Sequence, residues 1–163
     1  MKTAVVYSSK TGNTKMLADA IKDFLSESDC IYFGNADEKA LEADKIYVGF
    51  WTDKGTCDED SANFLKKLGN QQIFLFGTAG FGGSQEYYNQ IIDRVKTIIP
   101  SSVNITGTFM CQGKMPMSVR QRYEKMLENP NAAPNVKSLI ENFDNALSHP
   151  NEEDILNLKK NLK

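Results

Sequence analysis

The chain has one histidine, three cysteines and one tryptophan in 163 residues, and these scarcities remove whole classes of chemistry. His149 stands alone in Ser148-His149-Pro150, so His-based metal sites and Ser-His-Asp triads lack their residues. Cys30, Cys57 and Cys111 are far apart, odd in number and without a C-x-x-C pair. That excludes a disulfide framework and a Cys-rich zinc site. Nineteen Lys plus Arg against twenty-one Asp plus Glu leave a net charge of −2, so no basic footprint for nucleic acid exists. The N-terminus enters the apolar run Ala4-Val5-Val6-Tyr7 within three residues, too early for a signal peptide or membrane span. With 40% hydrophobic and 25% charged residues, the composition supports a real core. A reduced, cytoplasmic single domain with no membrane partner is expected.

What is present is an alternation. Short apolar runs (Ala4–Tyr7, Cys30–Phe33, Ile46–Phe50, Ile73–Phe76 and Val103–Cys111) read as strands, two of them nearly continuous as in a parallel sheet buried on both faces. Helical stripes lie between them: Leu17, Ile21, Phe24, Leu25; then Phe64, Leu65, Leu68; then Tyr88, Ile91, Ile92, Val95, Ile99. Two more follow the fifth strand, one marked by Val119, Tyr123 and Met126, the other opened by Pro134 and carrying Leu139, Ile140, Phe143 and Leu147. Five strands with intervening helices predict an α/β doubly wound sheet. From Asn151 a last helix begins acidic and ends basic, matching its dipole, with Ile155, Leu158 and Leu162 on one face. That face packs on the chain's own body or on a partner. The division expected is a domain over 1–149 and a helical tail over 150–163.

The segment Ser8-Ser9-Lys10-Thr11-Gly12-Asn13-Thr14 joins the first strand to the first helix. Hydroxyls, an amide, a turn-forming glycine and the free N–H groups of a helix start make an anion cradle. The spacing is neither that of a Walker loop nor G-x-G-x-x-G.

The string Ser9-Lys10-Thr11-Gly12-Asn13-Thr14, in this position, resembles the phosphate loop of the flavodoxin family. The resemblance runs over about residues 2–147 and implies a flavodoxin-like three-layer sandwich, with a five-stranded parallel sheet in order 2-1-3-4-5. It also implies FMN as cofactor, at the loops after strands one, three and four. Those loops are unusual here. Phe50-Trp51-Thr52-Asp53-Lys54-Gly55-Thr56 carries the only tryptophan, and Gly77–Ser84 has four glycines in eight residues. Aromatics give a flat slot and glycines allow close backbone approach. By resemblance, Ser9, Thr11, Gly12, Asn13 and Thr14 surround the phosphate. Lys10 lies in the same loop without a specific contact. Phe50, Trp51, Thr52, Asp53 and Gly55 flank the ring, with Trp51 covering one face. Thr78, Ala79, Gly80, Phe81 and Gly82 meet the pyrimidine edge, and Phe81 is the candidate for the second face.

Flavodoxins commonly turn one peptide of the third loop toward flavin N5, at a positive φ. If that residue follows Trp51 it is Thr52, for which such a φ is costly; Gly55 is the alternative. With Lys54 and Lys114 near the ring, the sequence departs from the family here, and a weakly stabilised semiquinone and a less negative final potential than in a typical flavodoxin are expected.

Cys111–Met117 does not match the usual family pattern. It is more similar to small flavodoxin-like proteins of anaerobic bacteria, some associated with bile-pigment reduction. No insertion splits the fifth strand, so the form is short-chain. Met115 and Met117 suit helix packing or a ligand contact. Two functions stay open. In one, the chain carries electrons between a reductase and an acceptor enzyme, and none of its own residues is catalytic. In the other, it is an FMN-dependent oxidoreductase acting directly on a small molecule such as a quinone or tetrapyrrole. The carrier is the expected function; near-neutral charge and a Gln112–Met117 loop able to roof a substrate are the two features that speak for the second. An FMN-free interaction module fits poorly with the phosphate motif.

Overall fold

The computed structural model describes residues 1–82 and 84–162. Its strands are β1 (Thr3–Tyr7), β2 (Cys30–Gly34), β3 (Lys45–Asp53), β4 (Thr56–Cys57), β5 (Gln72–Ala79) and β6 (Asn104–Gln112). Five pair in parallel in the order β2-β1-β3-β5-β6, while β4 turns back antiparallel on the end of β3. Counting the parallel strands alone, this is the order 2-1-3-4-5.

The helices are α1 (Asn13–Phe24), α2 (Glu59–Leu65), α3 (Gln85–Lys96), α4 (Met117–Leu127), α5 (Val136–Ala146) and α6 (Glu152–Asn161). One sheet face packs Val5, Tyr47, Phe74 and Phe76 against Leu17, Ala18 and Ile21 of α1 and Leu158 of α6. The other packs Val6, Ile46, Val48, Phe50, Ile73 and Leu75 against Phe64 and Leu65 of α2 and Ile91 and Val95 of α3. Because the central strands are covered on both sides, consecutive residues are apolar, which explains the unbroken runs in β3 and β5. The result is an α/β three-layer sandwich.

The C-terminal segment belongs to one of these layers. Asn151 and Asp154 form a reciprocal capping box, and Leu158 is fully buried on the α1 side. Its apolar face is covered by the chain's own α1 and β6. Lys163, expected in the basic end of this helix, lies outside the described residues.

Helices α4 and α5, which follow β6 along the chain, pack on each other. Arg120 holds Asp144 with two bonds, Nε to Oδ1 at 2.9 Å and Nη2 to Oδ2 at 3.1 Å. The guanidinium keeps the Asp144 carboxyl below its ordinary range. The tie is therefore present at neutral pH and lost only as pH falls through that lowered value. Pro134 precedes the α5 cap Asn135 and does not open the first turn as expected.

The loop after β3 also departs from expectation. Instead of an irregular loop over 50–56, β3 runs on to Asp53 and returns through β4, with Thr52 opposite Cys57 and Asp53 opposite Thr56. Lys54 (φ 53°) and Gly55 (φ 83°) are both left-handed, as a two-residue type I′ turn requires. A lysine at the first turn position hid that ribbon from the sequence. Thr52 sits in the strand and does not have the positive φ expected of a turning residue.

Candidate cofactor site

The β1–α1 loop is built around Gly12, at φ 87° and cap of α1, where an added Cβ would meet nothing within 4 Å. The Gly12 and Lys15 amides donate to Ser9 Oγ at 3.1 and 3.3 Å, which holds the loop closed. The amides of Asn13 and Thr14 open the helix with no acceptor among the described residues. A left-handed glycine ahead of unpaired helix-start amides fits a phosphate.

Beside this loop, at the carboxyl ends of β1, β3 and β5, is a cleft of about 290 Å³. Lys10, Thr11, Asn13, Trp51, Thr52, Gly55, Thr78, Ala79, Gly80 and Phe81 all line it, so most of the residues anticipated from sequence meet at one place. Gly83, the fourth glycine of the loop after β5, lies outside the described residues.

Other anticipated residues point elsewhere. Phe50 is fully buried in the core and presents no face to the cleft. Thr14 is equally buried, its hydroxyl 3.1 Å from both the Phe50 carbonyl and Thr78 Oγ1. Its side chain ties three loop stems together and leaves only its amide for an anion. Ser9 faces a neighbouring cavity, while Asp53 and Gly82 are outside the cleft lining.

Trp51 is held by its backbone. Its amide donates to Asp58 Oδ1 at 3.2 Å, and its carbonyl accepts from the Asp58 amide at 3.0 Å. Asp58 also caps α2 and accepts from the Ser61 hydroxyl at 2.8 Å. Thr52 Oγ1 donates to the Thr78 carbonyl at 2.8 Å, joining the β3 and β5 loops. Lys10, expected to make no specific contact, has its ammonium 5.1 Å from the Trp51 ring centroid. A ring stacking on that face displaces the lysine at a cost of about 0.5–1 kcal/mol.

The third wall comes from the Gln112–Met117 loop read from the sequence as a roof, joined by α3 and α4 residues that the sequence did not mark for the site. Lys114, Met115, Pro116 and Val119 close the cleft, together with Tyr87 from α3. The Lys114 carbonyl accepts from Asn13 Nδ2 at 2.8 Å and Thr11 Oγ1 at 3.3 Å. Asn13 Oδ1 is buried with no partner, an acceptor that fits a hydroxyl donor such as those of a sugar-alcohol chain. Met115 packs against Gly80, where an added Cβ would lie 2.6 Å from its sulfur, while Met117 is exposed.

Lys10, Lys54 and Lys114 line the cleft, and among the described residues no carboxylate does. The cavity next to it is larger, about 640 Å³, but Asp37, Glu38 and Asp60 line it and would repel a phosphate. Neither buried thiol supplies a nucleophile. Burial, then Asp58, pushes Cys57 up to about 11, and burial pushes Cys111 higher still. Among the described residues there is no cluster of metal-ligating side chains and no helix long and apolar enough to cross a membrane.

Comparison with known proteins agrees with this geometry. The flavodoxin-like domain-containing protein BilS of Clostridium symbiosum is 41% identical over 172 residues, covering 95% of this chain and 90% of the relative. BilS of Clostridioides difficile is 35% identical over 162 residues, with the same two coverages of 95% and 90%. Among solved structures, a short-chain flavodoxin associated with a bacterial microcompartment superposes with a TM-score of 0.55 at 18% identity, covering 90% of this chain and 97% of that one. A flavodoxin of Streptococcus pneumoniae gives a TM-score of 0.53 at 17% identity, covering 89% and 99%. The sequence profile of the Flavodoxin domain matches residues 4–163, and the chain therefore belongs to the flavodoxin domain family.

Proposed function

We propose that the chain binds FMN in this cleft and delivers electrons directly to a small organic acceptor of the quinone or tetrapyrrole class. The observation that carries the FMN assignment is the meeting, in one cleft, of an anion-binding helix start, an indole and a glycine-rich backbone. FMN, when bound, supplies the redox chemistry; the chain supplies binding, orientation and charge. The amides of Asn13 and Thr14 hold the phosphate, Trp51 packs on the ring, and the backbone of 78–81 meets its polar edge. Lys114–Pro116 and α4 keep water from one side of the cleft.

The roof and the three lysines support direct action on a small molecule, and an anionic one above all. The likeness to the BilS proteins of two clostridia agrees with the narrower resemblance to flavodoxin-like proteins associated with bile-pigment reduction. A protein-to-protein carrier is the second reading, and one observation favours it: Phe81, which lines the cleft, is 41% exposed and offers an apolar surface to a partner.

The test is anaerobic stopped-flow. FMN-loaded protein is photoreduced and mixed with a naphthoquinone sulfonate or its neutral parent, or with cytochrome c. The three lysines, offset in part by the charge of the FMN phosphate, favour the anionic quinone at low salt. Saturation with the sulfonate, and loss of that preference at high salt, is the expected result. A linear dependence matching free reduced FMN, with faster transfer to cytochrome c, would return the protein to the carrier reading.

A further inference from the structure

Two side chains, Gln112 at the start of the expected roof and Asn142, which the sequence did not mark, converge on one carbonyl of the cleft. Gln112 Nε2, at the end of β6, and Asn142 Nδ2, from α5, each donate to the Gly80 carbonyl at 3.1 Å. They also bond each other, Gln112 Nε2 to Asn142 Oδ1 at 3.1 Å. The preceding carbonyl, that of Ala79, is held as well and accepts from the Gly113 amide at 2.9 Å. The pair is packed closely beneath the loop, since a Cβ on Gly82 would lie 2.7 Å from Gln112 Cδ.

In a trans peptide the C=O and the following N–H point in opposite directions. Pulling the Gly80 carbonyl toward Gln112 and Asn142 therefore turns the Phe81 N–H away from them. Both Gly80 and Phe81 line the cleft, and the Phe81 amide has no acceptor among the described residues. We infer that Gln112 and Asn142 are positioning residues that lock the Gly80–Phe81 peptide with its N–H aimed at the cofactor, as a fixed donor to a carbonyl of the flavin pyrimidine. The inference rests on the FMN reading and gives α5 a function: it carries one half of the clamp to the site. A locked donor is worth more than a mobile one because its orientation is settled before the ligand arrives.

Because both amides hold the same carbonyl, the informative variants are double. Gln112→Ala with Asn142→Ala removes both donors. Gln112→Glu with Asn142→Asp keeps the shapes but replaces each amide donor with a carboxyl oxygen, which repels the carbonyl when ionised. Losing the orientation of one neutral hydrogen bond should weaken FMN and riboflavin alike, by about fivefold. A phosphate-loop defect, in contrast, would weaken FMN alone. The second readout is the 13C resonance of FMN labelled at C2 and C4, bound to each protein. Loss of a hydrogen bond should move one carbonyl carbon upfield, which a general loosening of the fold would not do selectively. Unchanged affinity for both flavins, or weaker binding with both carbonyl resonances unmoved, would overturn the clamp. Wild-type protein that binds neither flavin would overturn the FMN reading itself.

Discussion

Replacing Gly12 with valine is expected to weaken FMN binding severely and riboflavin binding hardly at all. Gly12 sits at φ 87° with open space where a Cβ would go, so the penalty is conformational and not a collision. A β-branched residue held there costs about 1–3 kcal/mol, and relief comes only by swinging the backbone out of the left-handed region. That swing re-aims the Asn13 and Thr14 amides, the donors left open for the phosphate. Expressed as affinity, the loss is about 5–150-fold. Asparagine tolerates the left-handed region, so Gly12→Asn should keep most of the affinity. Fluorescence titration with both flavins reads the result. Equal losses for FMN and riboflavin would mean that the loop does not hold a phosphate.

The second large effect concerns the floor of the site. Across β3 and β5, Gly49 pairs with Phe76 and Phe50 pairs with Gly77. Each phenyl ring fills the space over the glycine opposite: a Cβ on Gly49 would lie 2.3 Å from the Phe76 ring, and one on Gly77 would lie 2.4 Å from Phe50. The two pairs are adjacent along the strands, so their rings lie on opposite faces of the sheet, and both rings are fully buried. Gly77→Ala should therefore destabilise the fold by overpacking, about 1–3 kcal/mol. For a chain of this length, that lowers Tm by about 2–12 °C. Shrinking the opposing ring, in Gly77→Ala with Phe50→Leu, should recover part of the loss. A calorimetric Tm for Gly77→Ala equal to the wild type would contradict the interlock.

These glycines show where sequence reading reaches and where it stops. The runs in β3 and β5 announced buried parallel strands because two-sided burial makes every position apolar. That a glycine in each strand was the mould for a ring on its neighbour depended on cross-strand register, which pattern does not carry. The phosphate loop was legible because its signal is local: a glycine, hydroxyls and a helix start within seven residues. Thr14 shows the limit of the same motif. Its identity was plain, yet its hydroxyl is turned inward to Phe50 and Thr78. Trp51 stood out by composition. The ribbon that carries it did not, because a lysine at positive φ gives no warning. The pairing of Gln112 with Asn142 was least visible of all, because the two are thirty residues apart and meet only through a carbonyl that both reach.

The claim on which the rest depends is that this cleft holds FMN, and its most direct test is equilibrium titration of flavin-free protein with FMN, followed by flavin fluorescence. Binding of one FMN per chain with strong quenching, and distinctly weaker binding of riboflavin, is the predicted result. Undiminished flavin emission at saturating protein, or equal affinity for the two flavins, would contradict it.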